Sequence, residues 1–137
     1  MTEGTWTILI AVLTYVIMLV AYFSHRSRRF HMSVMIGVMA FDLLIPIYLF
    51  TNRDWYSRLI DHGDILTFGV WMHFMVVLVL YILYIFQIFA ARKILAGGEM
   101  SDAARIEHKA QAKGILLVRA FVIMTGAMLY DSQYLLD

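Results

Sequence analysis

The chain of 137 residues contains no cysteine. A disulfide framework, a thiolate metal site, an iron–sulfur cluster and a covalently attached c-type haem are therefore excluded. Charge is also scarce, since only 15% of the residues are charged, against about 25% in soluble proteins. This composition excludes a soluble globular domain, a disordered chain and a nucleic-acid-binding protein, which needs a clustered basic surface. The net charge of +1 gives no reason to expect a polyanionic partner.

Apolar residues, by contrast, make up 62% of the chain and are gathered in long continuous runs. A helix that spans a bilayer needs about 20 largely apolar residues. Four segments meet that requirement, at residues 6–23, 32–50, 65–91 and 114–136. The runs do not alternate as membrane strands do. The sequence therefore predicts an all-α integral membrane protein with lipid around it, formed as one domain over residues 1–137.

The distribution of basic residues predicts the orientation of the four helices. Eight of the eleven Lys and Arg residues fall in the connections after the first and third segments. Because short cytoplasmic loops are rich in Lys and Arg, we expect both termini to lie outside. The even helix number favours an up-down-up-down bundle. The connection at 92–113 is expected to be a cytoplasmic loop. Its chain turns at Gly97, and a short helix from Ser101 to Lys109 follows.

Polar residues inside the four segments are spaced so that each helix has one polar face. Residues 7, 11 or 14 positions apart share a face of a helix, and lipid does not solvate such a stripe. The stripes should therefore meet inside the bundle. The residues concerned are Thr7, Thr14, Met18 and His25 on the first helix, His31, Met35 and Asp42 on the second, His73, Tyr84 and Gln87 on the third, and Arg119, Gly126, Tyr130 and Gln133 on the fourth. Thr125, Tyr130 and Asp131 are expected at or above the level of Asp42 and His73.

Asp42 and His73 are predicted to meet in the outer half of the membrane. Both lie about eight residues from an outer helix end, roughly 12 Å deep at 1.5 Å per residue. Ionisable residues at such depth are costly and mark candidate functional sites. Asp42 and His73 are thus candidates for a metal or proton site. The alternative is that Asp42 only joins neighbouring helices.

His31 and His108 are predicted to approach each other at the cytoplasmic ends of the second and fourth helices. Two imidazoles from different helices are what a bis-histidine haem requires, and Arg119 could then lie near the propionates. Imidazole also suits copper, and Met32, Met35 and Met39 lie near His31. The cofactor prediction is therefore haem or copper at His31, His108 and Arg119. Ordinary interfacial histidines are the alternative.

No enzyme signature is present, because the chain has no phosphate loop, no His-Glu-x-x-His motif and no nucleophile near a base. Three short motifs stand out instead. They are His31-Met32-Ser33-Val34-Met35, Trp71-Met72-His73-Phe74, and a basic His108 segment followed by Thr125-Gly126 and Tyr130.

These motifs resemble the small four-helix membrane family that includes the CtaM-type assembly proteins of haem–copper oxidases, over roughly residues 20–132. The resemblance implies an accessory role in building or supporting a respiratory oxidase, with His31, His73 and His108 as the functional positions. It also implies a bacterial or archaeal cytoplasmic membrane.

Two other functions stay open at this point. One is a small b-type cytochrome that carries haem on two histidines and exchanges electrons with a quinone. The other is a proton- or ion-handling protein that uses Asp42 and His73, although four helices without an internal repeat are unusual for a transporter.

Overall fold

A computed structural model describes residues 3–52 and 65–134, with side chains for 5–52 and 67–129. The described part is helical apart from two short turns, and its four helices are α1 (Glu3–Phe23), α2 (Arg28–Asn52), α3 (Ile65–Ala96) and α4 (Ser101–Tyr134). Each of them is long and apolar enough to cross a membrane. The chain is therefore an all-helical protein of the integral membrane type.

The outer surface of the helices agrees with a lipid environment. Large apolar side chains on every helix are solvent-exposed, including Leu13 at 59%, Ile36 at 62% and Leu117 at 62%. A soluble protein rarely leaves contiguous apolar surface of this kind open to water. The few buried residues lie on the inward faces, where Met18, Val38, Leu80, Tyr84 and Ile115 form the core.

The connection between α3 and α4 is much shorter than the loop expected at 92–113. Gly97 and Gly98 adopt left-handed φ angles of 72° and 89°, which end α3 because residues with a side chain rarely adopt them. The chain turns within residues 97–100, and α4 then runs without a break from Ser101. The short cytoplasmic helix expected up to Lys109 is thus the first part of α4, since the intervening residues are mostly good helix formers.

The hairpin of α3 and α4 is longer than a bilayer is thick. At 1.5 Å per residue, helices of 32 and 34 residues are about 48 and 51 Å long, against about 30 Å for the hydrocarbon core. The charged ends that meet at 97–100 therefore extend beyond the apolar layer.

Close packing joins α3 to α4, α1 to α2 and α1 to α4. Gly69 allows α3 to approach α4, because a Cβ on it would lie 3.1 Å from Leu129 Cδ2. The Tyr15 hydroxyl of α1 donates to the Leu116 carbonyl of α4 at 3.1 Å. Two tyrosine side chains connect α2 with α3, as described below.

Candidate functional site

A buried ion pair between Asp42 of α2 and Arg119 of α4 lies midway along the bundle. Arg119 Nε donates to Asp42 Oδ2 and Nη2 donates to Oδ1, both at 2.9 Å. The two side chains are only 3% and 13% exposed. Two parallel hydrogen bonds of this kind match the fork of a guanidinium to a carboxylate.

The other two helices complete this cluster. Thr14 of α1 accepts a hydrogen bond from Arg119 Nη2 at 2.8 Å, and its own hydroxyl donates to the Ala11 carbonyl. Tyr84 of α3 donates to Asp42 Oδ2. We call Thr14, Asp42, Tyr84 and Arg119 the four-helix cluster, because each helix contributes one residue. It links all four helices at one level.

Tyr81 binds the same aspartate through the backbone. Pro46 lies inside α2 and has no N–H, so the carbonyl four residues earlier, that of Asp42, loses its helical hydrogen bond. The Tyr81 hydroxyl donates to that carbonyl at 2.8 Å. A freed carbonyl within a membrane helix needs such a partner. Sequence reasoning missed Tyr81, although Pro46 was the signal that marked a free carbonyl.

No direct hydrogen bond joins Asp42 to His73 within the described part of the chain. Arg119 and Tyr84 bind the Asp42 carboxylate, while His73 Nδ1 lies 2.7 Å from Thr125 Oγ1. The Thr125 hydroxyl also lies within hydrogen-bond distance of the Phe121 and Val122 carbonyls, so the direction of its bond with His73 follows the imidazole tautomer. Asp42 and His73 are thus hydrogen-bonded to different residues.

His31 and His108 do approach each other, at the end of the bundle near the two turns. Their ring centres are 6.3 Å apart, with the planes at 65°. His31 Nδ1 lies 2.9 Å from the Ala21 carbonyl, which only accepts, so this nitrogen carries the proton. The lone pair on His31 Nε2 remains available for a ligand.

Gln87 of α3 is the third polar residue at this level. Its side-chain nitrogen donates to the His108 carbonyl at 3.1 Å and lies 3.4 Å from His108 Nε2. Gln87 is 7% exposed, and within the described part of the chain its Oε1 and His108 Nδ1 have no hydrogen-bond partner. Buried polar atoms are almost always paired, so these two atoms are exceptions.

A cavity of about 230 Å³ adjoins these three side chains. Its wall is mostly apolar, and exposed residues of α2 and α3, among them Ile36 and Ile88, border it, so it opens between those two helices. Four thioethers also line it, those of Met18, Met32, Met35 and Met39. We call this space the methionine–histidine cavity.

The arrangement fits a haem poorly and a single ion well. Pockets for drug-sized ligands measure about 300–1,000 Å³, so 230 Å³ is too small for a porphyrin. Arg119 is also occupied by Asp42 and lies eleven residues, or roughly 16 Å, along α4 from His108. It therefore does not contribute to a site at His108, contrary to the expectation that it would lie near haem propionates.

The described residues include no group of three or more His, Cys, Asp or Glu side chains able to hold a metal. A metal in the methionine–histidine cavity would therefore need thioether ligands as well as the two imidazoles. Of the remaining predicted polar residues, Tyr84, Gln87 and Thr125 lie inside the bundle as described above. Tyr130 and Asp131 belong to α4, but their side chains fall outside the described part.

Comparison with known proteins adds no relative, since neither a family model, nor a curated protein, nor a solved structure matches this chain.

Proposed function

We propose that this protein is a non-enzymatic accessory protein of the membrane, acting as an assembly factor or small subunit of a respiratory haem–copper oxidase or another electron-transfer complex. Its own contribution is to bind a metal in the methionine–histidine cavity. The observation that carries the proposal is the pair of imidazoles, His31 and His108, 6.3 Å apart beside that cavity. The motifs around His31 and His108 resemble those of an oxidase assembly family, and this resemblance is the reason for proposing a respiratory oxidase as the partner.

The absence of a reactive constellation around this cavity supports a binding role over catalysis. Its lining includes two imidazoles, one amide, one guanidinium and four thioethers, but no carboxylate and no hydroxyl nucleophile other than the phenol of Tyr22. Such a set can hold a metal or a small ligand. It lacks the acid–base pair that covalent chemistry would require.

Co-purification tests the accessory role. The tagged protein, extracted from its native membrane in a mild detergent, should carry oxidase or other redox-complex subunits that a tag-matched unrelated membrane protein lacks. Purification of the protein alone would contradict the proposal. In a deletion strain we expect reduced oxidase haem bands, restored by the wild type and by His25→Ala, but not by His31→Ala. His25 is the matched control, because it is exposed in the α1–α2 turn.

The orientation belongs to the same proposal, with both termini outside and the methionine–histidine cavity at the cytoplasmic end. Its support is the set of basic residues in and beside the two turns next to that cavity, among them Arg26, Arg28, Arg29, Arg92 and Lys93. A reporter that is active only in the cytoplasm should be inactive after Asp137 and active when inserted between Gly97 and Gly98. The reverse pattern would contradict the orientation and place the cavity outside.

A small b-type cytochrome is the second candidate. The 6.3 Å between the ring centres of His31 and His108 favours it, because two imidazoles on one iron have a similar separation. The cavity volume opposes it. A reduced-minus-oxidised spectrum of the purified protein decides the matter, since Soret and α bands would show that the cavity widens to admit a haem.

A further inference from the structure

We propose that the methionine–histidine cavity is a copper(I) site, in which His31, His108 and cavity methionines, Met35 first among them, are the ligands. The inference rests on the metal-binding role proposed above and names the ion. Nothing in the resemblance to an oxidase assembly family specifies a copper ion held by these thioethers.

His31 has the hydrogen bond that metal-binding histidines use. Such histidines almost always donate the proton of their other ring nitrogen to a carboxylate, carbonyl or water, which fixes the tautomer and orients the ring. Here Nδ1 donates to the Ala21 carbonyl at 2.9 Å. In the neutral ring, this interaction places the lone pair on Nε2, the nitrogen that would bind a metal.

His108 lies close enough to His31 to share one ion with it. Metal–nitrogen bonds are about 2.0–2.1 Å long, so two imidazoles on one ion have ring centres roughly 6 Å apart. The observed value is 6.3 Å. Gln87 Nε2 donates to the His108 carbonyl and lies 3.4 Å from His108 Nε2, so it holds His108 beside the cavity.

The thioethers select the ion. Met35 follows His31 by one helical turn and therefore lies on the same face of α2. Soft thioether ligands favour copper(I), whereas Mg²⁺, Ca²⁺ and Mn²⁺ prefer oxygen. Among the described residues, the lining contains no Asp or Glu, so none of them supplies an anionic ligand that would offset the charge of a divalent ion. A monovalent ion pays a smaller desolvation cost in such surroundings.

Competition with a chromogenic copper(I) chelator tests the site. The purified full chain in detergent, kept anaerobic with ascorbate, should take one equivalent of copper(I) from bicinchoninate. Because the chain has no cysteine, no thiolate contributes a background. His31→Gln and His108→Gln should weaken binding by more than about 100-fold, since even second-shell partners of a metal contribute 10–100-fold. Met35→Leu should weaken it less.

His25→Gln and Met100→Leu are matched controls, because both residues are exposed and neither lines the cavity. Both should bind copper(I) as the wild type does. Equal affinity in the cavity variants and the controls would overturn the proposal, as would a wild type that cannot compete with bicinchoninate.

X-ray absorption of the copper-loaded wild type needs no variant and should show both nitrogen and sulfur neighbours. A first shell without sulfur would overturn the thioether assignment. Failure here is distinct from failure of the accessory role. A protein that co-purifies with an oxidase but takes no copper(I) keeps the accessory role and loses the copper site. A protein that binds copper(I) but purifies alone keeps the copper site and loses the accessory role.

Discussion

Removing one partner of the buried ion pair between Asp42 and Arg119 should destabilise the protein far more than removing both partners together. In Asp42→Ala the guanidinium keeps its burial but loses two 2.9 Å hydrogen bonds to the carboxylate. Only the Thr14 hydroxyl remains as a partner. Leaving a buried charge without its partner destabilises a protein by about 3–5 kcal/mol. The Tyr84 hydroxyl also loses its acceptor, which should destabilise the variant by about 1–3 kcal/mol more.

Replacing both charges by apolar residues of similar size should restore much of that loss. A buried ion pair is often replaced at no net cost, because neither charge then has to leave water. We therefore expect Asp42→Leu/Arg119→Met/Tyr84→Phe to be more stable than Asp42→Ala by at least about 2 kcal/mol.

Unfolding by SDS titration in mixed micelles measures these differences. Glu107→Ala is the matched control, because this acidic residue is exposed on α4 and its removal should change stability by less than about 0.5 kcal/mol. Two results would refute the reasoning. One is a cost below about 1 kcal/mol for Asp42→Ala, which is the range of a solvated pair. The other is a triple variant as unstable as the sum of its single changes.

Two further predictions concern single contacts. Tyr81→Phe should destabilise the wild type by about 1–3 kcal/mol. In a Pro46→Ala background the same change should cost much less, because the backbone N–H of residue 46 again bonds to the Asp42 carbonyl. Equal costs in the two backgrounds, measured by SDS titration, would contradict this account. Gly126→Ala should be less favourable than Gly37→Ala by about 1–3 kcal/mol, because a Cβ on Gly126 would lie 3.3 Å from His73 Cε1 while one on Gly37 meets nothing within 4 Å. Identical thermal stability of the two alanine variants would show that the His73 ring moves aside freely.

The sequence alone determined the four spanning helices and the faces of their polar residues. Long uncharged apolar runs permit little else, since lipid leaves backbone groups no partner outside a helix or a closed barrel. His31 and Asp42 are eleven residues apart on α2, as are His108 and Arg119 on α4. Eleven residues are close to three turns, so the two residues of each pair share a face of their helix. His31 could therefore approach His108 wherever Asp42 approached Arg119.

Only the tertiary structure decided which polar residues became partners. Depth counted from expected helix ends put Asp42 level with His73, but Thr125, the partner of His73, lies six residues along α4 from Arg119, or about 9 Å. Periodicity gives the face of a helix and not its rotation or height relative to its neighbours. The long fork of Arg119 then matched the Asp42 carboxylate better than an imidazole could. The continuity of α4 was decided in the same way. The sequence predicted a short helix at Ser101–Lys109 and a separate spanning helix from residue 114, and the structure joins the two into one helix that packs against α3.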